Sequence, residues 1–298
     1  MPRLTLVAIA AISLMVCLTP GALAQEVSVQ NTPESNRAEL VVVEPVAPRL
    51  PLWEAGVFGG GITQPAYPGA EERASLVAGL PLFIYRGEYL RVDRGTVGVR
   101  AIKTPRTEVD VGLAASLGSR AADSEARRGM DDLGTLVEFG PRLNINLGDV
   151  SKGRRDSRIQ LALRSVYDAD DHFRYRGLVF EPQWVKDMHF LNGWFVSTNV
   201  GAVFGDQKLV DTFYRVAPGE ATPTRASYDA SSGLIALRAS LFASRLFTPD
   251  VRIFSYLRLD SVQGAANQSS PLVRREYGWT VGLGFAWTLF KSERSAKD

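Results

Sequence analysis

The segment Tyr277–Phe290 (YGWTVGLGFAWTLF) alternates bulky and small residues with a period of two. Tyr277, Trp279, Val281, Leu283, Phe285, Trp287 and Leu289 share one face of an extended strand, and Gly278, Thr280, Gly282, Gly284, Ala286 and Thr288 share the other. An aromatic-ended bulky face suits lipid, and a small face suits the inside of a ring of strands. This pattern predicts a transmembrane barrel strand that closes the fold.

The start of the chain fits that destination. A basic start at Arg3, an apolar run from Leu4 to Leu18 and Ala22-Leu23-Ala24 form the three parts of a secretory signal peptide. Cleavage is expected between Ala24 and Gln25. The run is shorter than the roughly 20 residues a helical span needs. It also holds the one cysteine, Cys17, so the mature chain is expected to carry no thiol, disulfide or cysteine ligand. Loss of the signal removes one arginine and leaves 33 basic and 32 acidic side chains. Such balance argues against a nucleic-acid partner, which calls for a basic face.

Residues 25–51 are rich in Pro, Glu, Asn and Val, with Pro33, Pro45, Pro48 and Pro51 interrupting any regular element. They read as an extended periplasmic lead-in. From Leu52 onward, alternating segments of roughly ten to fifteen residues are separated by polar and glycine-rich clusters. In Thr135–Leu147, Val137, Phe139, Pro141, Leu143, Ile145 and Leu147 oppose Glu138, Gly140, Arg142, Asn144 and Asn146. Ile159, Leu161 and Leu163 likewise oppose Arg158, Gln160, Ala162 and Arg164, and Thr107–Leu117 repeats the scheme.

With Trp53–Gly61, Ala74–Arg86, Tyr89–Ile102, Tyr175–Val185, Trp194–Gly205, Lys208–Val216, Leu234–Leu246, Val251–Asp260 and the closing segment, about twelve strands are expected. The fold class is all-β, an antiparallel up-and-down transmembrane barrel. A soluble β-sandwich fits less well, because these strands exceed the usual five or six residues or so. Aromatics also fall near strand ends (Trp53, Tyr85, Tyr89, Tyr167, Trp184, Trp194, Trp279, Trp287), as in interfacial girdles. The chain thus divides into a signal peptide (1–24), the lead-in (25–51), the barrel (52–290) and a polar tail (291–298).

Thr280, Gly282, Phe285 and Trp287 resemble the C-terminal insertion signal read by the barrel assembly machinery, here followed by a polar tail. The charged residues Glu108, Asp110, Glu138, Arg142, Arg158, Arg164, Arg238 and Arg258 are expected to point inward, together with Glu181, Arg252 and Asp260. A charge facing lipid costs about 2–4 kcal/mol near the midplane, so all are expected to line a lumen. They could plug it or border a narrow path for small solutes.

Gln64–Glu71 (QPAYPGAE), Leu80–Gly87, Arg128-Gly129-Met130, Phe213–Val216, Tyr228-Asp229-Ala230 and Ser270–Val273 follow one another in the order of motifs of the MipA/OmpV outer-membrane proteins. The chain is similar to that family across most of its mature length. The resemblance implies a monomeric or weakly associating barrel in the Gram-negative outer membrane. For the name-giving member it also implies a scaffold joining a murein transglycosylase to a murein synthase. Tyr67 and Tyr228 are expected to pack loops, and Gly69 and Gly129 to serve turns.

Enzymatic chemistry finds little footing. His172 sits in the acidic stretch Asp168–His172, read as a solvated loop, and His189 lacks metal-ligand spacing. No catalytic, cofactor-binding or metal residues are predicted. A barrel-embedded hydrolase would need a Ser or Thr beside a histidine brought together from distant segments.

Overall fold

The computed structural model describes residues 51–86, 90–93, 96–99, 102–104, 106–149 and 156–294. The signal peptide with Ala24 and Gln25, and the lead-in before Pro51, lie outside the described residues. The strands are β1 (Trp53–Pro65), β2 (Arg73–Arg86), β3 (Leu90–Asp93), β4 (Thr96–Val99), β5 (Ile102–Lys103), β6 (Thr107–Ser116) and β7 (Leu136–Asn146). They continue with β8 (Ser157–Asp168), β9 (Arg174–His189), β10 (Trp194–Gly205), β11 (Gly233–Leu246), β12 (Val251–Ser261) and β13 (Tyr277–Lys291). Among the described residues one α-helix, α1 (Gln207–Tyr214), lies between β10 and β11.

All strand pairs are antiparallel, and each strand neighbours the next in sequence except β4 and β5, which stand at the two ends of the ladder. The last pairs with the first: Phe285 stands opposite Gly59 and Phe290 opposite Ala55. On the far side, β4 pairs with β3 and β5 pairs with β6, while β4 also lies against β6. The contact of β4 with β6 therefore brings the two ends of the ladder together, and the sheet is an up-and-down barrel. No helix among the described residues is long and apolar enough to cross a membrane.

Two expectations of strand content need correction. Lys208–Val216 is not a strand: its first seven residues lie in α1. Asp206 caps that helix by accepting from the Leu209 amide at 2.9 Å, and Leu209, Val210 and Tyr214 bury one helical face. Apolar residues at these positions satisfy a helical stripe as well as a short alternating run, and the aspartate cap decides between them. Tyr89–Ile102 is not one strand but contains the β3–β4 hairpin and the start of β5. The helix removes one expected strand and the 90–103 region supplies two more than expected, so the described residues hold thirteen strands, close to the expected number.

Along β13 the alternation becomes an inside and an outside. Phe285 and Trp287 are 44% and 48% exposed on the outer face, whereas Thr280 is 0% exposed on the inner one. Phe83, Phe139, Leu163, Phe180, Val200, Leu241 and Leu257 continue the exposed apolar belt around the other strands. Trp53, Tyr85, Trp184, Trp194 and Trp287 lie toward the end that holds both strand termini, and Tyr167, Tyr175, Tyr277 and Trp279 toward the other.

The two ends differ. At the terminal end, β9 to β10 and β11 to β12 are joined by short turns, and Leu52 N–H donates to Arg294 O at 2.7 Å beside the closing seam. The opposite end carries the long connections 66–72, 117–135, 206–232 and 262–276.

Candidate functional site: the ion-paired interior and the loop cap

Inward-facing charges form a continuous chain of ion pairs along the inner wall of the barrel, from β7 to β12. Arg164 on β8 donates through Nε to Glu138 on β7 at 2.9 Å and through Nη2 to Glu181 on β9 at 2.5 Å. Glu181 also accepts from Arg238 Nη1 on β11 at 2.9 Å, and Arg238 Nε reaches Asp260 on β12 at 2.7 Å. Arg258 Nε lies 3.0 Å from the second oxygen of Asp260. Three carboxylates and three guanidiniums alternate, so the chain is neutral as a unit. Arg164, Glu181 and Asp260 are buried.

The chain passes over β10 where Gly201 stands opposite both Arg238 and Gln183. A Cβ there would meet Pro182 O at 2.4 Å, so glycine lets β9 and β10 approach closely where the bridge crosses.

Nearer the terminal end the interior remains polar. Arg142 binds Asp110 through Nε and Nη2 at 2.7 and 2.8 Å, a two-pronged pairing that fixes its plane. Asn144 leans on the same carboxylate at 3.4 Å, and Gln160 donates to Asn144 at 2.8 Å. Arg158 meets Asp187 at 2.5 Å, and Asp187 also accepts from Ser197 at 2.6 Å. Glu108 shares a small cleft with Thr107, Asn144 and Arg158. On the opposite wall Phe58, Leu82, Phe242 and Phe254 pack inside, with Phe58 and Phe254 stacked at 5.3 Å.

The structure thus sets Glu138, Arg164, Arg238 and Arg258 in one chain, Asp110 and Arg142 in a second group, and Arg158 with Asp187 in a third. Sequence reasoning missed Asp187, although it shares strand parity with Glu181 on β9, which was the available signal. Thr280 and Gly282 face inward from β13, and Phe285 and Trp287 face outward. In the closed barrel β13 is paired along both edges, to β1 and to β12.

The loop end is closed by a packed cap with its own core. Tyr67 lies at its centre, 6.3 Å from Phe213 and 6.2 Å from Tyr214 between ring centroids. Tyr67 donates to Leu272 O at 2.8 Å, Tyr214 donates to Pro68 O at 2.9 Å, and Ser270 donates to Tyr214 O at 2.8 Å. The short motifs around Tyr67, Phe213 and Ser270 are therefore one packing unit drawn from three loops. Tyr228 and Met130 pack at its margin, and Gly69 and Gly129 take left-handed φ values of 91° and 81° in turns.

Burial pushes the Tyr67 and Tyr214 hydroxyls well above the ordinary tyrosine range, and burial likewise lowers Arg127. Arg127 donates to the carbonyls of Phe213 and Asp131, and Arg225 donates to those of Glu220, Ala126 and Arg128. These two buried arginines staple loop backbone to loop backbone. Neither lies in an alternating segment, so sequence periodicity gave no signal for them.

Gly177 on β9, at φ 123°, provides the close approach for α1. A Cβ there would fall 2.2 Å from Asp206 Oδ1, the helix-capping oxygen.

Neither histidine takes part in the interior ion pairs. His172 is fully exposed in the β8–β9 turn, 3.8 Å from Asp171, and His189 is exposed with its ring 5.0 Å from Phe195. The acids near His172 serve structure: Asp168 pairs with Arg176 at 2.6 Å, and Asp170 accepts from the Thr135 amide at 2.8 Å. Among the described residues no group of three or more histidines, cysteines or carboxylates could hold a metal ion.

No curated protein matches the chain. Among solved structures, the NanC porin is similar at 12% identity over 79% of this chain and 100% of its own, with a TM-score of 0.37. A Pseudomonas aeruginosa FadL homologue is similar at 10% identity over 83% of this chain and 73% of its own, with a TM-score of 0.34. The outer membrane protease OmpT from Escherichia coli gives 10% identity over 80% of this chain and 95% of its own, with a TM-score of 0.27. At these values they add nothing to the barrel read from the strand ladder. The family profile described as MltA-interacting protein MipA matches residues 57–289, from Val57 in β1 to Leu289 in the closing strand. This outer-membrane β-barrel protein belongs to the MltA-interacting protein MipA family.

Proposed function

We propose that the protein is a non-enzymatic scaffold of the outer membrane. Its terminal end, facing the periplasm, docks a murein transglycosylase and, through it, a murein synthase. The observation that carries this reading is the self-neutralised inner wall beneath a packed loop cap. The ion-pair chain from Glu138 to Arg258 runs along the wall from β7 to β12 with its charges spent on one another, which favours surfaces over a charge-lined passage as the seat of function. The family's name supports a transglycosylase as the first partner. The placement of short turns at the terminal end supports a periplasmic orientation for it. Residues 25–51 extend the proposed docking surface.

Cross-linking in intact envelopes, followed by solubilisation and capture of the barrel, tests the reading. A murein transglycosylase and a synthase are expected among the captured proteins, and reduced capture is expected when residues 25–51 are deleted. Capture of neither enzyme class counts against the scaffold. The competing narrow-channel reading, for small solutes, expects discrete conductance in planar bilayers with selectivity shifted by Arg142→Glu. The hydrolase reading expects lipid hydrolysis that His172→Ala or His189→Ala abolishes.

A further inference from the structure

The loop cap holds a second feature on its outer side, a cleft of about 430 Å³ lined by Glu71, Glu72, Glu125, Ala126, Arg274 and Arg275. Its volume falls at the small end of the roughly 300–1,000 Å³ spanned by ligand sites, and its lining is almost wholly charged.

Three loops build it rigidly. The Glu72 carbonyl accepts from the Ala66 amide at 3.0 Å, and Gly69 O accepts from the amides of Arg274 and Arg275 at 2.8 and 3.0 Å. The Glu125 amide donates to Glu72 Oε1 at 3.0 Å, which joins the third loop to the first. Arg275 is paired with Glu71.

What is left over defines the ligand. Glu72 Oε2 is enclosed and receives no hydrogen bond. Among the described residues the Glu125 carboxylate and the Arg274 guanidinium have no hydrogen-bond or ion-pair partner. The lining thus presents carboxylate acceptors on one side and a guanidinium donor on the other. With three carboxylates against two guanidiniums, its net charge is negative.

We propose that this cleft binds a small cationic amino acid. An ammonium group would lie between Glu125 and Glu72 and supply the donor that Glu72 Oε2 lacks. The ligand's carboxylate would meet Arg274 as a two-pronged pair. A second ammonium satisfies the excess acid charge of the lining, which singles out a ligand with two amines and one carboxylate. The site is independent of any murein partner, since it lies at the barrel end opposite the termini.

Isothermal titration of the refolded full chain in detergent with L-lysine tests it. Saturable binding is expected. It should be weaker for putrescine, which lacks the carboxylate, and absent for glycine betaine, which has no N–H to donate. Glu125→Gln and Arg274→Gln should each weaken lysine binding about tenfold or more, the scale of a hydrogen bond to a charged group. Arg120→Gln, in an exposed pair with Asp123 outside the cleft, should leave it unchanged. The heat-modifiable folded band verifies that each variant folds. No lysine binding at millimolar concentration, equal binding of putrescine, or undiminished binding by the Glu125→Gln/Arg274→Gln double variant overturns the proposal.

Discussion

The hydroxyl of Tyr67 donates to the carbonyl of Leu272 at 2.8 Å, across 205 positions of sequence. Leu272 is 0% exposed, so this one bond ties the first loop of the barrel to the last inside a dry cap. Tyr67→Phe keeps the ring stack on Phe213 but removes the donor and leaves a buried carbonyl unpaired, at a cost of about 1–3 kcal/mol. The loss is expected to be local. Cap amides should exchange hydrogen faster and the loops should be cut sooner by protease, while the heat-modifiable band of the barrel is retained. Loss of that band would mean that the cap is needed for the barrel itself.

The same buried phenols make the cap sensitive to alkali. Tyr67 and Tyr214 are held above the ordinary tyrosine value because burial disfavours the phenolate. In the opened cap they ionise near pH ~10. Above that pH the opened state has released protons that the closed state keeps. It therefore binds fewer protons, and cap stability falls as pH rises. Below the unfolded value the contribution is constant. Hydrogen exchange of the cap should accelerate above about pH 10, and Tyr214→Phe, with no proton to release, should flatten the slope. A cap whose opening is independent of pH across that range would contradict the burial of these two rings.

How much of this was legible in the sequence depends on periodicity. Glu138, Arg142, Arg158 and Arg164 could be placed inside because each sits on a strand where every second residue is apolar. The same rule placed Phe285 and Trp287 outside. Their partners were not legible: Glu181 bridges Arg164 to Arg238 over β10, and no rule of parity says that Gly201 will lie beneath that bridge. In the cap periodicity fails altogether. Arg127 and Arg225 act on carbonyls chosen by loop geometry, and α1 is set by the Asp206 cap rather than by the apolar spacing that also suits a strand. Tyr67, Phe213 and Ser270 could be marked as motifs, but only folding brings them to one core.

Within the ion-pair chain, Glu181 is shared by Arg164 and Arg238. Glu181→Gln keeps the shape and removes the charge, leaving the buried Arg164 and the half-buried Arg238 short of one carboxylate. Breaking a buried pair in this way costs about 3–5 kcal/mol. The Glu181→Leu/Arg238→Leu double variant should be less destabilised than the sum of its singles, because Arg164 keeps Glu138 and Asp260 keeps Arg258. Denaturant midpoints of the refolded barrel provide the comparison. Additive losses would show that the chain does not act as one neutral unit.

Phe285 and Trp287 supply the sharpest check on the membrane belt. Both point outward from β13, and neither makes a polar contact that a carboxylate could inherit. The Phe285 ring covers Gly59 on β1, toward the middle of the strand, whereas Trp287 stands opposite Val57 and Val251 near the terminal-end girdle. The cost of a charge on the lipid face is greatest at the midplane and falls to about 0–1 kcal/mol near the interfaces. Phe285→Asp should therefore impair insertion more than Trp287→Asp, and the double variant should lose the heat-modifiable folded band. Phe285→Leu, which keeps the face apolar, should restore it. Normal insertion of the double aspartate variant would place this face away from lipid and overturn the inside-out assignment of the whole barrel.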